Sequence, residues 1–441
     1  MSNVEKYLVL NNYFLQEVLG VASLKSVREV LLRAKPGVDP DGVTYFCRKL
    51  IDELDTLKIE PSLLMAYDKN IQTYVTHINK LRNNVTLKYF QYLALLVTEI
   101  YLDRLTNDTN WFVNDLNDFL HEYANEVKFK KEISNFTVDD LKKLAFWMAT
   151  GSGKTLIMHM NYLQFMRYKP FEPSNIILVT PNEALSSQHY DELLKSGIPA
   201  TLYHENLLAS AGSTVIAPGQ VLVIEITKLK EEKRGGGVTL PVDAFEGRNL
   251  VFVDEGHKGK GSEERVWARL RDALGSNGFT FEYSATFGQI LSEKDWTTME
   301  EYAKSIVFDY SYKFFYNDHY GKDFRVMNVK KAPSLAQTDY SRVMFTANLL
   351  SFYQQLLSYQ KNRDLAILHN LEKPLWIFVG ATVQGESSDV ALVTRFFREA
   401  VDGSLKDVAR RILSGDYLDD GGNDLFGDRF DELRKNFIEP R

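Results

Sequence analysis

The chain has 441 residues, 44% of them hydrophobic, and a formal net charge of −7; that length supplies two or three cores, and that charge argues against attraction of nucleic acid by the surface as a whole, though not by a local basic groove. A single cysteine, Cys47, excludes an intramolecular disulfide and a cysteine-rich zinc site. No stretch reaches the roughly 20 uninterrupted apolar residues of a membrane span, the N-terminus lacks the basic-then-apolar pattern of a secretory signal, and the expected compartment is the cytoplasm.

Residues 1–106 read as mostly helical, with apolar residues at helical spacing in "KYLVLNNYFLQEVLG" and "YFCRKLIDELDTL" and a loop at "KPGVDPDG" (35–42). "YFQYLALLVTEIYL" (89–102) is a buried helix carrying Glu99, and the polar 105–140 stretch is expected to be an irregular insertion. From Leu144 the texture changes. "LAFWMA", "NIILVTP" (175–181), "QVLVIEI" (220–226), "NLVFVDE" (249–255) and "FTFEYSAT" (279–286) alternate with helical segments. Short runs buried on both faces and separated by helices are what a parallel sheet requires. "EEKRGGGVTLP" (231–241) is expected to be a surface loop, and the basic clusters at 128–131, 228–234 and 329–331 solvated faces. Residues 290–372 turn aromatic and helical again, then a buried strand is expected at "LWIFVGA" (375–381), followed by the helical "DVALVTRFFREA".

Three sequence features carry chemistry. In "MATGSGKT" (148–155) a strand runs into a glycine turn and then a helix, aiming backbone N–H groups and the helix N-terminus at one anion. Thr150, Gly151, Ser152 and Gly153 would form the cradle, Lys154 would neutralise β/γ-phosphate charge, and the Thr155 hydroxyl would ligate Mg²⁺, so a nucleotide with Mg²⁺ is expected here. "VFVDEGH" (251–257) is an apolar strand ending in adjacent acids about 100 residues after Lys154. There Asp254 is placed to hold the metal, and Glu255 to orient and deprotonate the attacking water. In "YSATF" (283–287), Ser284 and Thr286 are hydroxyl residues able to bond His257 and link the nucleotide site to its neighbour.

Together, T-G-S-G-K-T, D-E-G-H and S-A-T resemble the superfamily 2 helicases and translocases, in the DEAD/DEAH-like branch that includes the type III restriction enzyme helicase (res) subunit. The resemblance implies a P-loop NTPase of α/β class: a RecA-like parallel sheet flanked by helices at 87–290, a helical accessory region at 1–86, a helical connector at 291–372 and the start of a second RecA-like lobe at 373–441. It implies backbone contacts to nucleic acid from Thr180, Pro181 and Asn182 in "LVTPNEALSSQH", and from Thr227 and Lys228 in "VIEITKL". Gln91 in "LKYFQ" would read adenine, at a longer distance from Lys154 than the family uses. The nucleotide that the resemblance implies is ATP, and the implied activity is ATP hydrolysis dependent on nucleic acid, DNA rather than RNA, with a methyltransferase or other restriction subunit as partner. The family's Q-x-x-R-x-x-R motif has no match after Leu375, so weak turnover is expected, together with a chain that is the N-terminal part of a longer protein. The alternative is a nucleotide-responsive nucleic-acid-binding module without turnover of its own. A third reading is a phosphate-loop kinase or signalling GTPase, the latter disfavoured because a GTPase needs an N-K-x-D motif that the sequence lacks.

Overall fold

A computed structural model describes residues 4–82, 84–203, 217–230, 240–241, 245–256, 262–321, 337–368, 371–380, 382, 385, 388–419 and 422–425. The chain divides into two units, residues 1–322 and 323–441.

The first unit is built on a seven-stranded sheet, parallel throughout. Its strands are β1 (Lys143–Met148), β2 (Asn175–Thr180), β3 (Ala200–Leu202), β4 (Val221–Glu225), β7 (Asn249–Asp254), β8 (Phe279–Ser284) and β9 (Ile306–Tyr310), in the order β3-β4-β2-β7-β8-β1-β9. Two short segments, β5 (Leu229–Lys230) and β6 (Leu240–Pro241), pair separately. The five strands expected between Leu144 and Thr286 all form. Their β-branched and aromatic residues are buried on both faces, as in Ile176–Thr180 and Leu250–Val253. The register puts Asp254 beside Tyr283 and Trp147 beside Ser284. The chemistry-bearing ends of β1, β7 and β8 therefore lie side by side at the sheet's C-terminal edge, where open parallel sheets hold their ligands.

Helices α1 (Val9–Tyr13), α2 (Leu24–Leu31), α3 (Tyr45–Glu53), α4 (Pro61–Asn79), α5 (Tyr89–Asn107) and α6 (Thr109–Val127) precede the sheet, and one apolar core runs from Val4 through them to Tyr310. α5 packs against α7 (Lys154–Tyr168), the helix that follows the glycine turn. Its buried Glu99 accepts hydrogen bonds from Asn70 (2.9 Å), Gln164 (2.7 Å) and Tyr168 (2.8 Å). Burial raises the pKa of this carboxyl, and those donors oppose the rise.

Three expectations about secondary structure are corrected. The stretch expected to be irregular at 105–140 contains α6, which the Asp108 carboxylate caps through the Trp111 N–H (2.9 Å). Phe112, Leu116, Phe119, Leu120 and Tyr123 recur at helical spacing and are buried, so tertiary burial outweighs the weak helix propensity of the intervening Asn and Asp residues. The run read as aromatic and helical contains β9, which closes one edge of the sheet beside β1. Residues 371–380 form no strand, and Leu375, Ile377 and Val379 are exposed. A strand needs a ladder partner for its N–H and C=O groups, and no described strand pairs there. The regular elements described in the second unit are helices, Gln337–Lys361, Arg363–Leu368, Asp389–Asp402 and Lys406–Leu413, with Val343, Ala347 and Leu350 clustering on Ala409, Ile412 and Leu413.

β9 carries a buried acid, Asp309, whose carboxylate accepts from the Ser311 N–H (2.9 Å). Burial pushes its pKa up to about 6, with the Ser311 hydrogen bonds opposing. A carboxyl raised in the fold is costly to ionise. The cost is fully present above that pKa and is relieved as pH falls through 6 toward the unfolded value near 4. Asp309→Asn is therefore expected to stabilise the protein by roughly 2–3 kcal/mol at pH 7.5 and to have little effect near pH 4. Urea midpoints at both pH values test this; destabilisation at pH 7.5 that fades toward pH 4 would show that the fold prefers the charged carboxylate.

Candidate active site

β1 ends at Met148, and residues 149–153 curl over its edge into α7. Gly151 and Gly153 have φ of +83° and +92°, a region that suits glycine. A β-carbon at Gly153 would also lie 2.5 Å from the Gln91 amide nitrogen. The buried Ser152 tightens the turn, with its hydroxyl donating to the Ala149 carbonyl (2.7 Å) and its N–H to the same oxygen (3.1 Å). The first N–H groups of α7 have no intrahelical acceptor and point out of the helix start, with the dipole behind them. Thr150 and Gly151 are exposed at the rim, and Thr155 lies in the first turn.

Lys154 extends back over the strand end, its Nζ resting at 3.4 and 3.5 Å from the carbonyl oxygens of Met148 and Ala149. Those are long contacts for an ammonium group. Burial lowers its pKa, and the charges of Glu255 and Asp254 act to raise it. A desolvated cation on weak neutral acceptors, beside a glycine turn of positive φ, fits a polyphosphate.

The acids face it from β7. Asp254 Oδ1 accepts the Glu255 N–H (3.1 Å), and Oδ2 meets His189 Nε2 (3.0 Å). Burial alone would raise the Asp254 pKa, but His189 and Lys154 bring it below the ordinary value. Glu255 has φ of +57°, in the left-handed region that an L-residue adopts at a cost of about 1–2 kcal/mol. The next residue holds the turn in place. Gly256 N–H donates to the Tyr283 carbonyl (3.1 Å), and its own carbonyl accepts from Arg271 Nη1 (2.8 Å) and the Tyr302 hydroxyl (3.4 Å). Arg271 and Lys143 in turn flank the buried Glu282 at 3.2 and 3.0 Å. A buried ionic network thus underlies the acidic turn. Among the described residues no group of three or more His, Cys, Asp or Glu forms a ready-made metal cage. Thr155 and Asp254 supply the hydroxyl and carboxylate that would hold Mg²⁺, whose remaining ligands in such sites are phosphate oxygens and water.

The other sequence-selected residues divide. Gln91, buried in the first turn of α5, donates to the Ser152 carbonyl (2.8 Å) and accepts the Lys88 N–H (2.9 Å), so it lies directly against the glycine turn. α5, α6 and the run into β1 account for its long sequence distance from Lys154. Ser284 is buried at the end of β8, its hydroxyl accepting the Thr286 N–H (2.9 Å), and the Thr286 hydroxyl has no partner among the described residues. His257 lies outside the described residues. Thr180 is 1% exposed, and its hydroxyl bonds Ser186 (2.5 Å) at the junction with α8 (Glu183–Lys195). Asn182 is exposed and caps α8 through the Leu185 N–H (2.9 Å), and Pro181 is half-buried beside it. Thr227 is exposed and donates to the Glu225 carboxylate (2.6 Å), and Lys228 is half-buried. Pro181, Asp254, Glu255 and Arg271 line one common pocket.

Sequence reasoning passed over His189, Arg271 and Glu282. A signal existed for the first. Ser186, His189 and Leu193 share the buried face of α8, so two of its core-facing positions are polar. Buried polar side chains on such a face need partners.

Residues 117–289 match the model of the family described as type III restriction enzyme, res subunit. Among solved structures, the UvsW helicase from Bacteriophage T4 aligns at 12% identity and a TM-score of 0.26, over 53% of this chain and 86% of that one. No curated protein matches. No described helix is long and apolar enough to cross a membrane.

Proposed function

We propose that this chain, which carries a superfamily 2 helicase domain of the res-subunit type, binds Mg-ATP at the glycine turn and hydrolyses it under the control of a bound nucleic acid, DNA in preference to RNA. One observation carries the reading. The glycine turn with Lys154 and the turn bearing Asp254 and Glu255 face each other across the C-terminal edge of one parallel sheet, with Lys154 close enough to feel both acids. In this assignment Lys154 and the α7 N-terminus bind and orient the phosphates, and Gln91 borders the base. Asp254 and Thr155 hold the metal, which when bound supplies charge neutralisation at the phosphates. Glu255 accepts the proton of the attacking water.

Asn182, Thr227 and Lys228 are assigned to the sugar-phosphate backbone, with Pro181 packed beside them. Such contacts carry no sequence information and release counterions. Turnover by this chain alone is expected to be slow, because stabilisation of the γ-phosphoryl charge by arginine contributes about 10³–10⁵ in related systems and the sequence offers no Q-x-x-R-x-x-R motif. A methyltransferase or other restriction subunit is the partner class that this reading favours.

The test measures binding of single-stranded DNA and RNA at 50 and 200 mM salt, together with phosphate release in the presence of each. Binding is expected to depend weakly on sequence, to fall with salt, and to drop further in a Thr227→Ala, Lys228→Ala double variant. Affinity that ignores ionic strength, or no nucleotide binding at all, would remove this reading.

A further inference from the structure

Helix α8 reaches the acidic strand, the phosphate-loop helix and the N-terminal helices. Its N-cap, Asn182, is exposed beside Pro181 at the mouth of the pocket that holds the acids. Two turns on, His189 is buried with its Nε2 3.0 Å from Asp254 Oδ2. At its C-terminal end, Ser196 Oγ is 2.8 Å from Nδ1 of His159, which is buried on α7 one turn after Thr155. Arg82, just beyond α4, donates from Nε to the same Ser196 oxygen (2.8 Å), from Nη2 to the Glu192 carbonyl (2.9 Å), and to the Glu192 carboxylate. The helix is thus tied to the acidic strand, to the phosphate-loop helix and to the N-terminal helices, all by polar contacts.

Those contacts are costly to disturb. Breaking one of them would leave a further polar atom unsatisfied beside His189 Nδ1 and His159 Nε2, which are already buried without a hydrogen-bond partner among the described residues, at about 1–3 kcal/mol for each such group. The His159 pKa is pushed down to about 3, by burial first and then by Arg82 and His189, so this ring is neutral and packed as part of the interior. α8 has little room to shift alone. A movement at its N-terminus is passed on to whatever its side chains hold, and the one it holds inside the site is the carboxylate of Asp254.

We propose that His189 is a positioning residue that couples engagement of the exposed α8 N-terminus by a nucleic-acid backbone to the placement of the Asp254 carboxylate, and hence to Mg-ATP affinity. This rests on the function proposed above. The coupling is a binding linkage, and so it works in both directions.

The experiment measures affinity of the 441-residue chain for a fluorescent ATP analogue with Mg²⁺, with and without saturating single-stranded DNA. It compares the unaltered protein with His189→Gln and His189→Asn. Both variants keep a polar amide in the buried site, but only glutamine is long enough to place its N–H where Nε2 lies. DNA is expected to tighten nucleotide binding by about 5- to 150-fold in the unaltered protein, the usual range of such couplings. The factor should persist in H189Q and fall to about one in H189N, whatever the affinity of H189N for nucleotide alone. Equal factors in H189N and the unaltered protein would overturn the proposal, as would loss in both variants, which marks a packing role. An unaltered protein that binds both ligands with a factor of one also overturns it, while leaving the proposed function standing. An unaltered protein that fails to bind either ligand removes the proposed function itself.

Discussion

Glu255→Gln is expected to slow ATP hydrolysis by about 10²–10⁴-fold, the range attributed to a positioned general base, while Mg-ATP affinity stays within a few-fold. The substitution keeps size and shape and removes only the ability to take a proton. Geometry makes the effect specific to Glu255. Its backbone is held at φ +57° while Asp254 is fixed by His189 and by the Glu255 N–H itself. Gly256 is pinned below by Tyr283, Arg271 and Tyr302. The strained residue is thereby over-determined by its surroundings, which is where strain persists in functional sites. Single-turnover phosphate release with DNA present, alongside nucleotide titration, checks both halves. Undiminished turnover in the glutamine variant would assign the base elsewhere.

Lys154→Ala is expected to weaken Mg-ATP binding by about 100-fold or more, equivalent to about 3 kcal/mol for a charge-assisted contact to phosphate. Gln91→Ala removes neutral hydrogen bonds to the loop and should cost about fivefold, or about 1 kcal/mol. The ranking follows from what each side chain does in the fold. Gln91 is satisfied by Ser152 and Lys88, so it supports the loop's shape. Lys154 is desolvated and rests on two long carbonyl contacts. Because burial lowers the Lys154 pKa, its charged form is destabilised by folding. The linkage sign is that the unfolded chain binds this proton more tightly, so the ammonium detracts from stability at neutral pH. The unliganded Lys154→Ala protein should thus melt at an equal or higher temperature, even though its nucleotide affinity collapses. A variant that loses affinity and stability together would instead make Lys154 a structural residue. Unchanged affinity in both variants would remove the phosphate assignment.

Much of this was legible in the residues themselves. Runs such as "NIILVT" and "NLVFVD" are buried on both faces, so their composition alone marks interior parallel strands. The glycine turn was legible because Gly151 and Gly153 adopt positive φ, a requirement that the residue type records directly. The 109–127 helix was obscured by its asparagines and aspartates. Its helical state depends on Phe112, Leu116 and Phe119 finding a core that lies elsewhere in the chain. The apolar run at 375–380 forms no strand among the described residues, because a strand is completed only by a neighbour's N–H and C=O groups. β9 joined the sheet for the opposite reason, since β1 offered it an open edge.

Local sequence determined the kinds of element and the reactive groups at their ends, because conformational preference and side-chain chemistry belong to single residues and near neighbours. Tertiary structure alone decided the pairings: His189 with Asp254, Arg271 with Gly256 and Glu282, and Gln91 with Ser152. Each joins residues from separate elements, and strand order and register bring them within hydrogen-bond reach. Once buried, such groups must be paired or they cost more than the fold can spare.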